Sequence, residues 1–459
     1  MAENNFSLQK TLTMLLDEKK YHSLRDILST MNPADIAAIF DDLDQACLPL
    51  LFRLLPKELA AETFVEMEPE AQELLIQGFS DSELKEVIDE LYVDDAVDIV
   101  EEMPANVVQR ILSQAEPDMR KQINEILRYP EDSAGSIMTT EYVSLRPNMT
   151  VEEAILRIRR TGIDKETIYT CYVTKGHKLI GLVSVKDLLL CEDDNATIES
   201  IMTDHVITVN TLDDQEQVAQ MFSKYDFLAL PVVDTESRLV GIVTFDDAMD
   251  VMQDEATEDM EKMAAMLPSE HPYLRSSPFE IWKNRIPWLM LLMISATLTG
   301  LVITSFEDAL GVLPCLTAFI PMLMDTGGNS GSQACVTVIR GISLDEIEFR
   351  DIFKVVWKEI RVAVLCGICL AVACFAKVML VDHLLLRSES VNAWVALVVS
   401  LSMAVTVFLA KLVGGTLPLL AKKLGFDPAV MASPIITTIV DFLSLLVYFP
   451  FATPILHIG

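Results

Sequence analysis

The sequence predicts a multidomain chain: an all-α superhelical N-terminal domain, a duplicated α+β unit, and a polytopic α-helical membrane domain with five spans. Three observations lead there. The 459 residues are 51% hydrophobic yet carry a formal net charge of −33, a combination that a single soluble domain rarely holds. The charge is unevenly divided: residues 1–275 contain 23 Lys/Arg against 55 Asp/Glu, and residues 276–459 contain 12 against 13. Short motifs also recur within residues 131–253, at offsets of 64 and 60 residues. The boundaries expected are 1–130, 131–253, an acidic connecting segment at 254–278, and 279–459.

In residues 1–130, apolar residues recur at helical spacing in Asp35–Leu43, Leu59–Met67, Leu84–Leu91 and Ala96–Met103. Breaks fall near Pro33, Pro56, Pro69 and Pro104. The segments resemble one another, which suggests short helices stacked into a superhelix.

Residues 131–253 hold the duplication. Ser136-Ile-Met-Thr139 returns as Ser200-Ile-Met-Thr203, and Gly181-Leu-Val-Ser184 returns as Gly241-Ile-Val-Thr244. Each copy reads strand, helix, strand, strand, helix, with Tyr172–Val173 and Pro231–Val233 as strands and Asp187 and Asp247 opening helices. The pattern resembles a tandem pair of cystathionine-β-synthase-type (CBS) domains. That resemblance implies that the Ser184/Asp187 and Thr244/Asp247 elements can meet the ribose of an adenine nucleotide. The same residues would also serve as helix caps. Tyr225 and Phe227 are candidates for the base pocket.

A spanning helix needs ~20 mostly apolar residues. Five stretches qualify: Ile286–Ser305, Val312–Ile339 with a Gly-rich interruption, Val355–Val381, Val391–Leu420 and Ala429–Ile455. Lys283, Arg285, Arg340, Arg350, Lys354, Lys358, Arg361, Lys422 and Lys423 flank one side. Glu307, Asp308, Asp382, Arg387 and Glu389 lie in the opposite loops. The Lys/Arg bias places the N-terminus in the cytosol and the C-terminus outside, in a multi-pass protein of the cytoplasmic membrane. Met1–Lys10 has no basic stretch followed by an apolar one, so no cleavable signal peptide is expected. Cys366 and Cys369 have CxxC spacing inside a span and read as small apolar filling.

The acidic half repels nucleic acid and attracts cations. Its densest runs are Val93-Asp-Asp-Ala-Val-Asp98 and Phe245-Asp-Asp-Ala-Met-Asp250, the latter continuing through Asp254, Glu255, Glu258, Asp259 and Glu261. Like charges three and four residues apart destabilise a helix by ~0.3 kcal/mol per pair. Divalent cations with hard-oxygen preference, Mg²⁺ or Ca²⁺, would offset this.

Two polar stretches interrupt the membrane half. Pro321-Met-Leu-Met-Asp-Thr-Gly-Gly-Asn-Ser-Gly-Ser-Gln333 brings Asp325, Asn329 and three glycines into a span. Asp427-Pro-Ala-Val-Met-Ala-Ser-Pro434 leads into Ser433, Thr437 and Asp441, spaced by four. Such polarity is expensive in a bilayer unless it faces a pore or a packed interior. Lys411 and Lys377 are candidate partners that would make Asp441 purely structural.

Taken in order, these features resemble the MgtE family of magnesium channels over essentially the whole chain. The resemblance implies a homodimer in the lipid bilayer with its pore on the two-fold axis. Asp441 would bind hydrated Mg²⁺, with Ser433, Thr437 and Asn329 as pore positions. Residues Asp254–Arg275 would be a helix plugging the cytosolic side. Asp95, Asp98, Asp247, Asp250, Glu255, Glu258 and Asp259 would bind regulatory Mg²⁺ that closes the pore, ATP would be a regulatory ligand, and Tyr169 and Thr170 would straddle the base position. A transporter of Co²⁺ or Mn²⁺, or a non-transporting nucleotide/Mg²⁺ sensor, is the competing reading. A carrier of anions would want Arg or Lys where Asp325 and Asp441 stand. No P-loop, nucleophile–base set or metal–His motif marks an enzyme.

Overall fold

The computed structural model describes residues 2–41, 43, 45–269, 273–274, 276–388 and 390–457. The side chains of 2–7, 9 and 433 lie outside that description. So do position 42 in the Asp35–Leu43 run, positions 270–272 and 275 of the expected connecting helix, and Glu389. The chain forms two compact units, Met1–Met252 and Gln253–Gly459.

Ten short helices occupy the start of the first unit among the described residues. Proline opens several of them, as at Lys57–Val65, Pro69–Gly78 and Ala105–Gln114, where its missing N–H has no intrahelical partner to lose. Alternate helices pack together: Pro33–Asp41 on Lys57–Val65, that on Asp81–Ile88, and that on Ala105–Gln114. This is the stacked arrangement the repeated segments suggested. Phe40, Phe52, Phe64 and Phe79 are buried in its core.

The α+β region holds two three-stranded sheets: β1 (Val143–Leu145), β2 (Thr170–Lys175) and β3 (Lys178–Ser184), then β4 (Val209–Asn210), β5 (Ala229–Val233) and β6 (Leu239–Thr244). In each sheet the first pair is parallel and the second antiparallel. The duplicated motifs explain each other through an exchange between copies. Thr139 of the first copy trades backbone hydrogen bonds with Ile242 of β6, at 2.8 and 2.9 Å. Thr203 of the second does the same with Leu182 of β3, at 2.8 and 3.0 Å. Gly181 and Gly241 permit this approach: a Cβ on Gly241 would stand 2.8 Å from the Thr139 carbonyl, and one on Gly181 3.0 Å from that of Thr203.

The second unit begins within the helix Phe245–Met263. This helix starts in the acidic run after β6 and ends at Met263, so the expected helix over Asp254–Arg275 is corrected at both ends. No breaker separates Phe245 from Asp254. At the far end Ala265 takes a left-handed φ of 53° and Pro268 follows, which a helix does not continue through.

Among the described residues, four helices are long and apolar enough to cross a membrane: Pro278–Ser305, Phe349–Leu385, Ala393–Lys423 and Ala429–Leu456. The second becomes a π-helix over Val378–Leu385. The expected second span differs. It is preceded by a 3-10 turn at Pro314–Phe319 and is then one unbroken α-helix, Ile320–Ser343, running through the Gly-rich stretch. The expected interruption is not there. Backbone groups in a bilayer must be satisfied internally, which a continuous helix does. Its glycines serve close packing instead. A Cβ on Gly327 would lie 2.6 Å from the Thr406 Cγ2, one on Gly328 2.6 Å from the Thr437 Cγ2, and one on Gly414 would overlap the Gly331 carbonyl. Ile320–Ser343 thus packs tightly on both Ala393–Lys423 and Ser433–Leu456.

Candidate functional site

The helix Ile320–Ser343 has two chemically distinct faces. Gly327, Gly328, Ser330, Gly331, Ala334 and Cys335 are buried within the unit. Asp325, Asn329, Gln333 and Thr337, four apart, are exposed and form one polar stripe. Asp441, half-buried on the neighbouring helix Ser433–Leu456, lies close enough to Asp325 to feel its charge. Thr437 is one turn before Asp441 and donates its hydroxyl hydrogen to the Pro434 carbonyl at 3.0 Å. The structure therefore brings together Asp441, Thr437 and the polar stripe bearing Asn329; the Ser433 side chain is outside the description.

Neither candidate counter-ion takes Asp441. Lys377 pairs with Asp382 at 2.8 Å, and buried Lys411 donates to the Ser330 carbonyl at 3.4 Å. Among the described residues no cation pairs with Asp441. In the last turn of Phe245–Met263, Lys262 bridges Glu258 and Asp427, both at 2.7 Å, and the next residue, Met263, packs on a cluster of Cys335, Ala410, Ile436 and Val440. Burial opposes the Lys262 charge, yet its hydrogen bonds to Asp427 and Glu258 hold its affinity for a proton above the usual lysine range. Asp259 is raised by burial and by Asp427.

A second constellation lies in the first unit. The helix Val93–Glu102 presents Asp94 and Asp95 in its first turn, and Phe245–Met263 presents Asp246 and Asp247 in its own. Helix N-termini favour anions, but here several share one place. Glu141 accepts the Val93 N–H at 3.1 Å, and the Glu166 N–H donates to the Glu141 carbonyl at 3.1 Å. Burial, then the charge of Asp247, push Asp95 up to about 7. Burial, then Asp95, push Glu166 up to about 8. Burial raises Asp247 to about 6 against the opposing hydrogen bond from Thr244. Asp98 is also raised to about 7, but its side chain reaches solvent, so that value carries less energy. Asp94 is 6% exposed and raised too, first by burial and then by Asp247.

Asp94 Oδ1 and Glu166 Oε2 are buried with no hydrogen-bond partner, an expensive state that a cation would relieve. Among the described residues no three His, Cys, Asp or Glu side chains converge on a single coordination point. A directly ligated ion is thus not pre-built, while an ion that keeps its waters, as Mg²⁺ does, fits the looser spacing. Sequence reading identified Asp95, Asp98 and Asp247 and missed Glu141 and Glu166, which come from distant loops without any linear signal. Asp250 and Glu255 belong to the same acidic helix, where Glu258 is already engaged by Lys262.

The nucleotide candidates are separated. Ser184 and Asp187 form a reciprocal helix cap, the hydroxyl donating to Asp187 Oδ2 at 2.6 Å. Tyr225 and Phe227 stack with centroids 5.4 Å apart. Phe227 lines a cavity of about 340 Å³ with Phe222, Phe245 and Met249, and neither Ser184 nor Asp187 lines it. Tyr169 is 67% exposed.

A family model described as a divalent cation transporter, MgtE, matches residues 320–451. The MgtE intracellular N domain matches 31–132, and CBS domains match 134–192 and 198–254. The magnesium transporter MgtE of Thermus thermophilus is 37% identical over 456 residues, covering 98% of this chain and 99% of that protein. The magnesium transporter MgtE of Bacillus subtilis is 32% identical over 447 residues, covering 97% of each. Among solved structures, the cytosolic domain of the Mg²⁺ channel MgtE in complex with ATP is 39% identical with a TM-score of 0.51, covering 53% of this chain and 99% of that one.

Proposed function

The chain belongs to the MgtE family of divalent cation transporters, and from that premise we propose that it passes Mg²⁺ across the cell membrane as a homodimer of five-span subunits. The observation that carries this reading is the exposed stripe Asp325, Asn329, Gln333 and Thr337 on a helix whose other face is packed solid with glycine. Polar groups facing lipid are strongly disfavoured. A second copy laid against that stripe turns it into the wall of a water-filled path. The helix has 24 residues, ~36 Å at 1.5 Å per residue, enough to be the fifth span beside the four apolar ones. Five crossings set the two ends on opposite sides, and the Lys/Arg bias puts the N-terminus in the cytosol.

Asp441 is the selectivity carboxylate in this reading, with Thr437, Ser433 and Asn329 supplying neutral oxygens. Two copies across the axis attract a divalent ion that keeps its waters, and the wide oxygen lining suits an ion reluctant to dehydrate. Among the described residues no His or Cys joins it in a metal-holding group, which favours a hard ion over soft metals. Regulation uses the other constellation. Mg²⁺ settles among Asp94, Asp95, Asp98, Glu141, Glu166 and Asp247, cancels their repulsion and favours the closed state; it shifts the equilibrium because it binds that state more tightly. One continuous helix carries both Asp247 and Lys262, so the sensor's charge state reaches the residue that holds Asp427 next to the pore helix. Asp250, Glu255, Glu258 and Asp259 on that helix extend the sensor. A regulatory adenine nucleotide fits the first CBS copy at Ser184 and Asp187, with the relative solved with ATP as support.

The test is Asp441→Asn, which keeps shape and removes charge. Proteoliposomes loaded with a Mg²⁺-sensitive dye should show uptake with the parent protein and none with the variant, at equal incorporation and unchanged dimer mass. Equal uptake by both would move the ion site away from Asp441.

A further inference from the structure

The start of the helix Phe349–Leu385 carries a feature that ion transport does not use. Arg350, Lys354, Lys358 and Arg361 follow at spacings of four, four and three, so they share one face. All four are exposed. An open groove of about 670 Å³ is lined by Arg350, Lys354 and Lys358 together with Ile347 and Val355. Glu346 and Asp351 line it as well. Arg350 is paired with Glu348 at 2.9 Å and Lys354 with Asp351 at 2.5 Å. Those cations are 77% and 83% exposed, so the pairs are weak and open to exchange. Among the described residues, neither Lys358 nor Arg361 is in an ion pair. From the neighbouring span, Lys423 sits 4.0 Å over the Phe349 ring.

Aromatic side chains interleave with these cations. Phe353 is 83% and Trp357 60% exposed, and the Arg361 guanidinium lies 6.0 Å over the Trp357 ring. The same face then runs on as bare hydrocarbon, with Leu365, Ile368 and Val372 each more than half exposed. Cations with interleaved rings, followed by an apolar strip, match the layers of a phospholipid in order: phosphate and interface, then acyl chain. A free phosphate would gain nothing from the rings or the strip. Topological bias alone would require cations on this side, but not a groove aligned with an exposed apolar face.

We propose that this groove binds the headgroup of an anionic phospholipid, whose acyl chains lie along the Leu365–Val372 face. The proposal rests on the orientation given under Proposed function, which sets these residues at the cytosolic surface. Its test uses the full chain with Trp357 as the single tryptophan, through Trp282→Phe, Trp288→Phe and Trp394→Phe. Vesicles contain equal phosphatidylcholine and phosphatidylglycerol, with bromine placed on one lipid or on the other. Brominated phosphatidylglycerol should quench Trp357 more strongly. Lys354→Gln, Lys358→Gln and Arg361→Gln should each weaken the preference roughly fivefold, the change equivalent to about 1 kcal/mol per cation at a membrane surface. Lys358→Arg should retain it, which separates loss of charge from misfolding. Equal quenching by the two lipids, or a preference that survives all three Gln substitutions, would overturn the proposal. So would its loss on adding millimolar inorganic phosphate, which would mark a small-anion site. Mg²⁺ uptake into the same vesicles separates this from the transport reading: uptake without lipid preference sinks only the lipid site.

Discussion

Asp247 is the residue through which the carboxylate cluster can be questioned most directly, because its charge is the leading electrostatic cause of the raised values at Asp94, Asp95 and Asp98. Asp95 at about 7 stands about three pH units above its ordinary 3.8, worth about 4 kcal/mol at 1.36 kcal/mol per unit. Burial is the larger cause, so Asp247 accounts for about 1 kcal/mol of that, and ~2 kcal/mol over its buried neighbours taken together. The direction follows from linkage. These carboxyls hold protons in the folded state at pH values where the unfolded chain has released them. The stability they contribute is complete below about pH 4 and lost as pH rises through 6 to 8. Metal-free protein should therefore loosen around Val93–Glu102 between pH 5.5 and 8, and Mg²⁺ should reverse the loss. Asp247→Asn removes the charge while keeping an oxygen to accept from the Thr244 N–H. At pH 8 without Mg²⁺ it should slow hydrogen exchange in residues 93–102 by about 30-fold, the equivalent of ~2 kcal/mol, and it should blunt the further protection that Mg²⁺ gives. Faster exchange in the variant at pH 8, or wild-type protection that grows with pH in the absence of Mg²⁺, would refute the reasoning.

The remaining predictions concern packing, gating and nucleotide. Gly241→Ala should cost ~1–3 kcal/mol, since its Cβ meets the Thr139 carbonyl at 2.8 Å, and Gly181→Ala somewhat less, with 3.0 Å to the Thr203 carbonyl; thermal melts of the two variants check the order. Gly414→Ala drives a Cβ into the Gly331 carbonyl and should lower the yield of monodisperse protein, whereas Gly300→Ala, with open space around it, should not. Lys262→Gln breaks a partly exposed link to Asp427 worth about 1 kcal/mol, so half-closure of Mg²⁺ uptake should need roughly fivefold more cytosolic Mg²⁺; an unchanged midpoint would remove Lys262 from the gate. Calorimetry with ATP on the full chain should give heat that Asp187→Ala abolishes, and silence from both proteins would remove nucleotide from the account.

Much of the architecture was legible because it rests on local rules. The two Gly-hydrophobic-hydrophobic-Ser/Thr motifs became β3 and β6 with a capping Asp three residues on, because strand propensity and cap chemistry act within a few residues. The four apolar spans emerged near their expected ends for the same reason. What was hidden depended on distance or on the solvent. Glu141 and Glu166 join the carboxylate cluster from loops far along the chain, and nothing in their own neighbours announces it. The Gly-rich stretch read as a break by the rules of water, where a run such as Asp-Thr-Gly-Gly-Asn ends helices. In a bilayer an unpaired backbone group is worse than an unfavourable propensity, so the helix continues and the same glycines become its contact surface. That inversion also accounts for the polar stripe. Once Gly327, Gly328 and Gly331 fix which face is buried within the subunit, the helical repeat leaves Asp325, Asn329, Gln333 and Thr337 only one direction to face.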